Sequence, residues 1–212
     1  MNITTELYTD SQKRLPTAGQ VILAHQTDNL MVVYQAYNNR IADFAVANQM
    51  LGGADFSYNR MSWIKPNFLW MMYRCGWAAK ENQERVLAIW IEKSAFEGIL
   101  NNAAISSFNP KYHNSQQEWK NDLNTKEVRL QWDPDHDPYG NKLQRRAVQL
   151  GLKGKALEDF GRNQIKRIED ITDFVKQQKL GLDSDQLNRL LVPVETVFEP
   201  ANKDTKSKIG IE

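Results

Sequence analysis

Cations and large flat rings crowd one short stretch of this chain. Arg60, Lys65 and Arg74 alternate with Trp63, Trp70 and Trp77, and no acidic residue lies between Ser57 and Lys80. A guanidinium forks onto two oxygens of a phosphate or carboxylate, and an ammonium adds a compact charge. Indole rings stack on a base, a nicotinamide or a sugar face. Asn67 is placed to cap a helix, whose first amides contribute a partial positive charge. Together these residues suit the floor of a site for a flat anion. The plainer use of the same residues is a core built on Trp70 and Phe68, with cations solvated or paired to distant carboxylates. Burying a cation among rings without a partner is costly, so a protein carboxylate or a ligand anion has to meet it.

Three other groups carry candidate chemistry. Tyr34, Gln35, Tyr37 and Asn38 close an apolar run and precede a helical pattern. Alternation puts Gln35 and Tyr37 on one face, so the two can grip one ligand, or Gln35 can tie down a loop. The segment 131–138 holds Asp133 just before Pro134, and Asp135, His136 and Asp137 between Pro134 and Pro138. A carboxylate there would serve as base, ribose-hydroxyl acceptor or magnesium ligand, or simply initiate a turn. Arg145 and Arg146 flank a short strand near Gln149 and must face opposite ways; Arg146 is the candidate for a pocket, or else a surface arginine. His25, His113 and His136 show no paired metal-ligand spacing, so no metal site is expected. Cys75 follows Arg74 at a helix end, where a thiol is not activated. Glycine-rich phosphate loops and nucleophile elbows are absent from the sequence.

These residues have to be held by alternating strands and helices. Residues 20–26 and 30–37 read as a β-hairpin across the Thr27-Asp28-Asn29 turn signal. Asn38 caps a helix to about residue 50, and Asn67 caps a second, 68–74, stopped by Gly76. Residues 84–91 form the clearest strand, apolar enough to be buried on both faces. A helix over 93–103 follows, then a polar loop with a helical turn near Trp119. Strands are expected at 127–132 and 147–152, a long helix at 154–179, a short helix at 185–191 and a strand at 194–198. The expected architecture is a single α+β domain, 20–200, with a mixed or antiparallel sheet and flanking helices. Residues 1–19 are read as a loose N-terminal arm and 201–212 as a charged, mobile tail.

Composition narrows the partners. Charge is balanced, 27 basic against 26 acidic residues, so any attraction for an anion has to be local. One cysteine rules out an intrachain disulfide and suits a reducing compartment. The polar start lacks a signal core, and no apolar run reaches membrane-helix length, so a cytoplasmic protein without a membrane partner is expected.

Several segments together resemble the domain-of-unknown-function family 4291: Val-Tyr-Gln-Ala-Tyr-Asn at 33–38, the stretch 60–74, Gln-Trp-Asp-Pro at 131–134, Arg-x-Val-Gln-Leu-Gly-Leu at 146–152 and Val-Pro-Val-Glu at 192–195. The resemblance spans roughly residues 20–200 and implies one compact domain without an established activity. Function has to come from the residues, which support three readings. The favoured one is an enzyme acting on a nucleotide-like anion, resembling an ADP-ribosyltransferase with NAD as donor. In that arrangement Gln35 or Tyr37 stands on the first strand, Ser62 on the second and Glu127 or Asp135 supplies the carboxylate. Tyr37, Asn38, Arg60, Trp63, Lys65, Trp70, Arg74, Asp133 and Arg146 would contact the ligand. The first strand lacks the Arg or His usual in those enzymes. The alternatives are a single-stranded nucleic-acid binder using the tryptophans as platforms, and a structural or partner-binding domain.

Overall fold

The structure, a computed structural model, describes residues 2–110 and 112–211. In chain order the elements are β1 (Thr5–Leu7), α1 (Tyr8–Arg14), β2 (Gly19–Gln20), β3 (Leu23–Ala24), β4 (Leu30–Tyr37), α2 (Asn39–Asn48), β5 (Ser62–Ile64), α3 (Phe68–Cys75), β6 (Arg85–Glu92) and α4 (Lys93–Asn101). Then come β7 (Ala103–Ile105), α5 (Gln116–Thr125), β8 (Val128–His136), β9 (Lys142–Leu152), α6 (Gly154–Asp159), β10 (Ile165–Asp170), α7 (Thr172–Asp183), β11 (Leu191–Pro193), β12 (Thr196–Val197) and α8 (Lys203–Ile209). This is an α+β fold, with helices around mixed and antiparallel sheets.

Two sheets carry the architecture. In the first, β6 runs antiparallel between β10 and β4. In the second, β9 pairs antiparallel with β8, while its other edge is shared by β2, parallel, and β5, antiparallel; β7 extends β8 in parallel. The sheets meet where Tyr34 and Lys65 exchange backbone bonds, Tyr34 N to Lys65 O at 2.7 Å and Lys65 N to Tyr34 O at 3.1 Å. Alternation along β4 and β6 then builds two cores. Met31, Val33, Leu87, Ile89 and Ile91 face one side, with Ile64, Leu130 and Leu150 of the second sheet. Val32, Tyr34, Val86, Ala88 and Trp90 face the other, beneath Phe68, Met71 and Met72 of α3. The continuous apolar run of β6 is thus buried on both faces.

Several elements differ from the sequence reading. The hairpin shrinks to a bridge between Gln26 and Met31, because β4 finds its full-length partner in β6 and residues 19–24 divide between β9 and β12. The long helix 154–179 breaks after Gln164: Ile165–Asp170 supplies the strand that the second edge of β6 requires, and tertiary pairing overrides local helical periodicity. The turn expected at 133–138 is the end of a strand. Pro134 sits where the β8–β9 register shifts, and the chain reverses only at Asp137, whose Oδ1 accepts from Tyr139 N at 2.9 Å and Asn141 N at 2.8 Å. The expected helix at 185–191 is a 3₁₀ turn at Leu187–Arg189 followed by β11. The residues read as a loose arm and tail also form elements: β1 pairs with β11, and α8 buries Ile209 and Thr205.

Candidate functional site

The cationic stretch folds as strand, bridge and helix in fifteen residues. β5 binds the edge of β9 with Ser62 opposite Leu152 and Ile64 opposite Leu150. Proline keeps Lys65 extended, which lets its backbone bridge to Tyr34. Asn67 Oδ1 accepts from Trp70 N at 2.7 Å and starts α3, and Gly76, at φ 59°, ends it in the left-handed region. Asn38 caps α2 in the same manner, accepting from Ile41 N at 3.0 Å, so it serves the backbone.

Alternation sorts the side chains into two polar groups on opposite faces of the joined sheets. On the face of the first core, Ser62 Oγ accepts from Gln35 Nε2 at 2.8 Å and pairs with the Tyr37 hydroxyl at 2.8 Å. Burial raises the Tyr37 hydroxyl pKa well above its ordinary value. Gln35 Oε1 is buried without a partner among the described residues. The sequence-predicted Gln35, Tyr37 and Ser62 therefore do come together.

The other face carries Trp63, Lys65, Gln131, Asp133 and Gln149. Asp133 is held at both oxygens, by Gln131 Nε2 at 2.9 Å and by Gln149 Nε2 at 2.7 Å. Trp63 is half-buried on Gly151; a Cβ there would stand 2.9 Å from the indole, so only glycine admits the ring. Lys65 is 5% exposed, and its Nζ donates to Trp63 O at 3.2 Å. Among the described residues no carboxylate reaches ion-pairing distance of this ammonium. Burial, then the neighbouring Arg74 charge, pushes the Lys65 amine down to about 7; Cys75 and Asp133 pull weakly the other way. Arg74 and Arg60 are exposed, and neither has an ion pair among the described residues. Arg74 acts on Lys65, whereas Arg60 lies in the turn before β5 and has no side-chain partner among the described residues.

The remaining candidates are placed elsewhere. Trp70, 4% exposed, stacks on His136 and Tyr73 with ring centres 5.0 and 5.4 Å away; Trp77 donates to Pro138 O at 3.2 Å. Both are core residues, which leaves Trp63 alone of the three as an accessible ring. Asp135 is committed to a buried ion pair with Arg145, which also donates to Pro16 O at 3.1 Å. Arg146, the sequence candidate, is exposed and donates to Trp132 O at 2.7 Å. Glu127 accepts from Ala156 N at 2.9 Å at the start of α6, lining a separate cavity of about 540 Å³. Neither Glu127 nor Asp135 shares a hydrogen bond with Gln35 or Ser62, so the structure does not assemble the three-strand set. His136 is buried, and among the described residues neither ring nitrogen has a hydrogen-bond partner.

Sequence reasoning passed over Glu195. Its carboxylate is buried, accepting from Phe68 N at 2.6 Å and Asn67 Nδ2 at 3.2 Å, and burial pushes it up to about 8. It anchors the start of α3 at Asn67 and Phe68, just past Pro66. The one local signal was a carboxylate ending an apolar Val-Pro-Val run. Gln131, likewise unassigned, alternates with Leu130 and Trp132, as expected of a residue facing away from a core.

Residues 21–198 match the model of Domain of unknown function (DUF4291), and the chain belongs to that family. No curated protein matches it. Among the described residues no helix is long and apolar enough to cross a membrane, and no three His, Cys, Asp or Glu side chains cluster as a metal site.

Proposed function

We propose that this protein binds and acts on a nucleotide-like anion at the Lys65 face of the joined sheets. The observation that carries the reading is the buried Lys65 side chain, which has no carboxylate within ion-pairing distance among the described residues. A ligand phosphate is the countercharge that would complete the site, with Arg74 forking onto the same group. Trp63 supplies a flat surface, and Asp133, pinned by two amides, is oriented to accept a ribose hydroxyl. In the ADP-ribosyltransferase-like version NAD is the donor and a carboxylate stabilises the developing ribosyl cation. Asp133 suits that role better than Asp135 or Glu127, since both of those are engaged elsewhere. The nucleic-acid reading is less well supported, because Trp70 and Trp77 are taken up by the core.

Thermal denaturation with NAD, ATP and AMP at millimolar concentration tests this. A ligand present at 100 times its Kd stabilises by about 2.7 kcal/mol, a shift of several degrees. Arg74→Ala should abolish the shift. An unchanged melting temperature with all three nucleotides overturns the reading.

A further inference from the structure

The end of α3 and the turn after β8 enclose a cavity of about 200 Å³, lined by Met72, Tyr73, Trp77, Asp137 and Tyr139. Neither Lys65, Trp63, Arg74 nor Asp133 lines it. We propose that this cavity binds a methylated ammonium group, of the kind carried by choline or trimethylated lysine. The proposal does not depend on the nucleotide reading.

Rings and charge both point that way. Tyr139 and Tyr73 are 54% and 39% exposed, the only large exposed side chains with rings among the described residues. His136 steadies Tyr73, with ring centres 3.6 Å apart. Trp77 is the buried ring of the three. Its backbone stands in the left-handed region at φ 55°, uncommon for a bulky residue, and its indole donates to Pro138 O at 3.2 Å. Aromatic side chains around a small cavity attract cations through the ring quadrupole, most strongly when the cation sheds water. The Asp137 carboxylate adds a negative charge that no cation pairs with among the described residues. The nearby ammonium groups are engaged elsewhere. Lys179 meets Asp183 at 2.6 Å, and Lys80 Nζ donates to Tyr73 O at 3.3 Å and Arg74 O at 2.7 Å. Lys80 also stands 5.8 Å from the Tyr73 ring centre, so this surface already draws one cation of the chain itself.

Hydrogen bonding and size select the methylated form. Asp137 Oδ1 accepts from Tyr139 N and Asn141 N, and Oδ2 from Asn141 Nδ2. These three bonds fill most of the roughly four acceptor positions of a carboxylate. A primary ammonium brings three donors and would trade its water for too few acceptors. A trimethylammonium has no N–H to satisfy and needs only charge and surface. The cavity is also smaller than the roughly 300 Å³ at which small-molecule pockets begin, so it suits a head group and not a whole nucleotide.

Calorimetric titration of the full chain at constant ionic strength tests this. The ligands are choline, its uncharged carbon isostere dimethylbutanol, and one short peptide carrying either trimethylated or unmodified lysine. Choline should bind at millimolar concentration and dimethylbutanol roughly 10-fold more weakly, because the isostere keeps the shape and loses the charge. The methylated peptide should exceed its unmodified twin by a similar factor. Tyr139→Leu, at an exposed turn position, should weaken choline roughly 10-fold, whereas Tyr139→Phe keeps the ring and should leave it unchanged. Asp137→Asn retains an acceptor for the turn amides and should weaken choline without affecting dimethylbutanol. A methylated peptide that binds roughly 10-fold or more tighter than choline identifies a protein side chain as the ligand; equal affinities identify a free small molecule. Failure of both methylated ligands to bind overturns the proposal. So does equal binding of choline and dimethylbutanol, or a Tyr139→Leu chain that binds choline as well as the unsubstituted one.

Discussion

Arg145 and Lys65 are both buried cations at the second sheet, and they are treated in opposite ways. Arg145 meets Asp135 in an ion pair whose side chains are 4% and 1% exposed, and the Pro16 carbonyl takes another of its protons. Lys65 has one backbone carbonyl and, among the described residues, no carboxylate in ion-pairing distance. A buried charge with a complete set of partners is a structural fixture; one left without them keeps a cost that a bound anion would relieve. The contrast separates a residue that holds the N-terminal segment to the domain from one whose charge the fold leaves without a countercharge among the described residues.

The contrast can be broken most forcefully at the completed pair. Asp135→Ala strands the Arg145 guanidinium in the interior and should cost about 3–5 kcal/mol, measured by urea denaturation. A loss below 1 kcal/mol would show that Arg145 reaches water and that the pair is not a fixture.

The pH dependence of melting is of comparable size. The folded Glu195 value, about 8, lies above its ordinary 4.5, so its contribution is full below 4.5 and is lost as pH rises toward 8. The folded Lys65 value, about 7, lies below its ordinary 10.5, so the unfolded chain binds the extra proton and stability climbs from pH 7 to 10.5. Each limb should span on the order of 5 kcal/mol, with a minimum between pH 7 and 8. Glu195→Gln should flatten the descending limb and Lys65→Met the ascending one. A profile the two substitutions leave unaltered would contradict both assignments.

At neutral pH, Lys65→Met should stabilise the free protein by about 1–2 kcal/mol, since an apolar side chain of similar length replaces an unpaired ammonium. Destabilisation there would mean that Lys65 is internally satisfied after all. On the opposite face, Ser62→Ala strips the shared partner from Gln35 and Tyr37 and should cost about 1 kcal/mol. It should also leave nucleotide-induced melting shifts intact, because Ser62 faces away from Lys65.

Much of the frame was legible in the chain. The Asn38 and Asn67 caps, the stop at Gly76 and the doubly buried β6 follow from local chemistry, and alternation along β4 paired Gln35 with Tyr37. What escaped was non-local. Alternation says that Arg145 and Arg146 face opposite ways, but only Asp135 and a carbonyl 129 positions earlier decide which one turns inward. The periodicity of 154–179 permits a helix; the vacant edge of β6 makes part of it a strand. Asp133 and Asp135 look equivalent in a proline-containing segment until the register of β8 on β9 gives one to two glutamines and the other to an arginine.

Lys65 also joins the two sheets through its own backbone, with a bond to Tyr34 in each direction. Its amine is therefore mounted on the seam. Any slip of one sheet against the other would carry the charged end along and alter its distance from Asp133, which is fixed well inside the second sheet. Mechanical coupling between the halves of the domain and the chemistry of that amine would then be one and the same property.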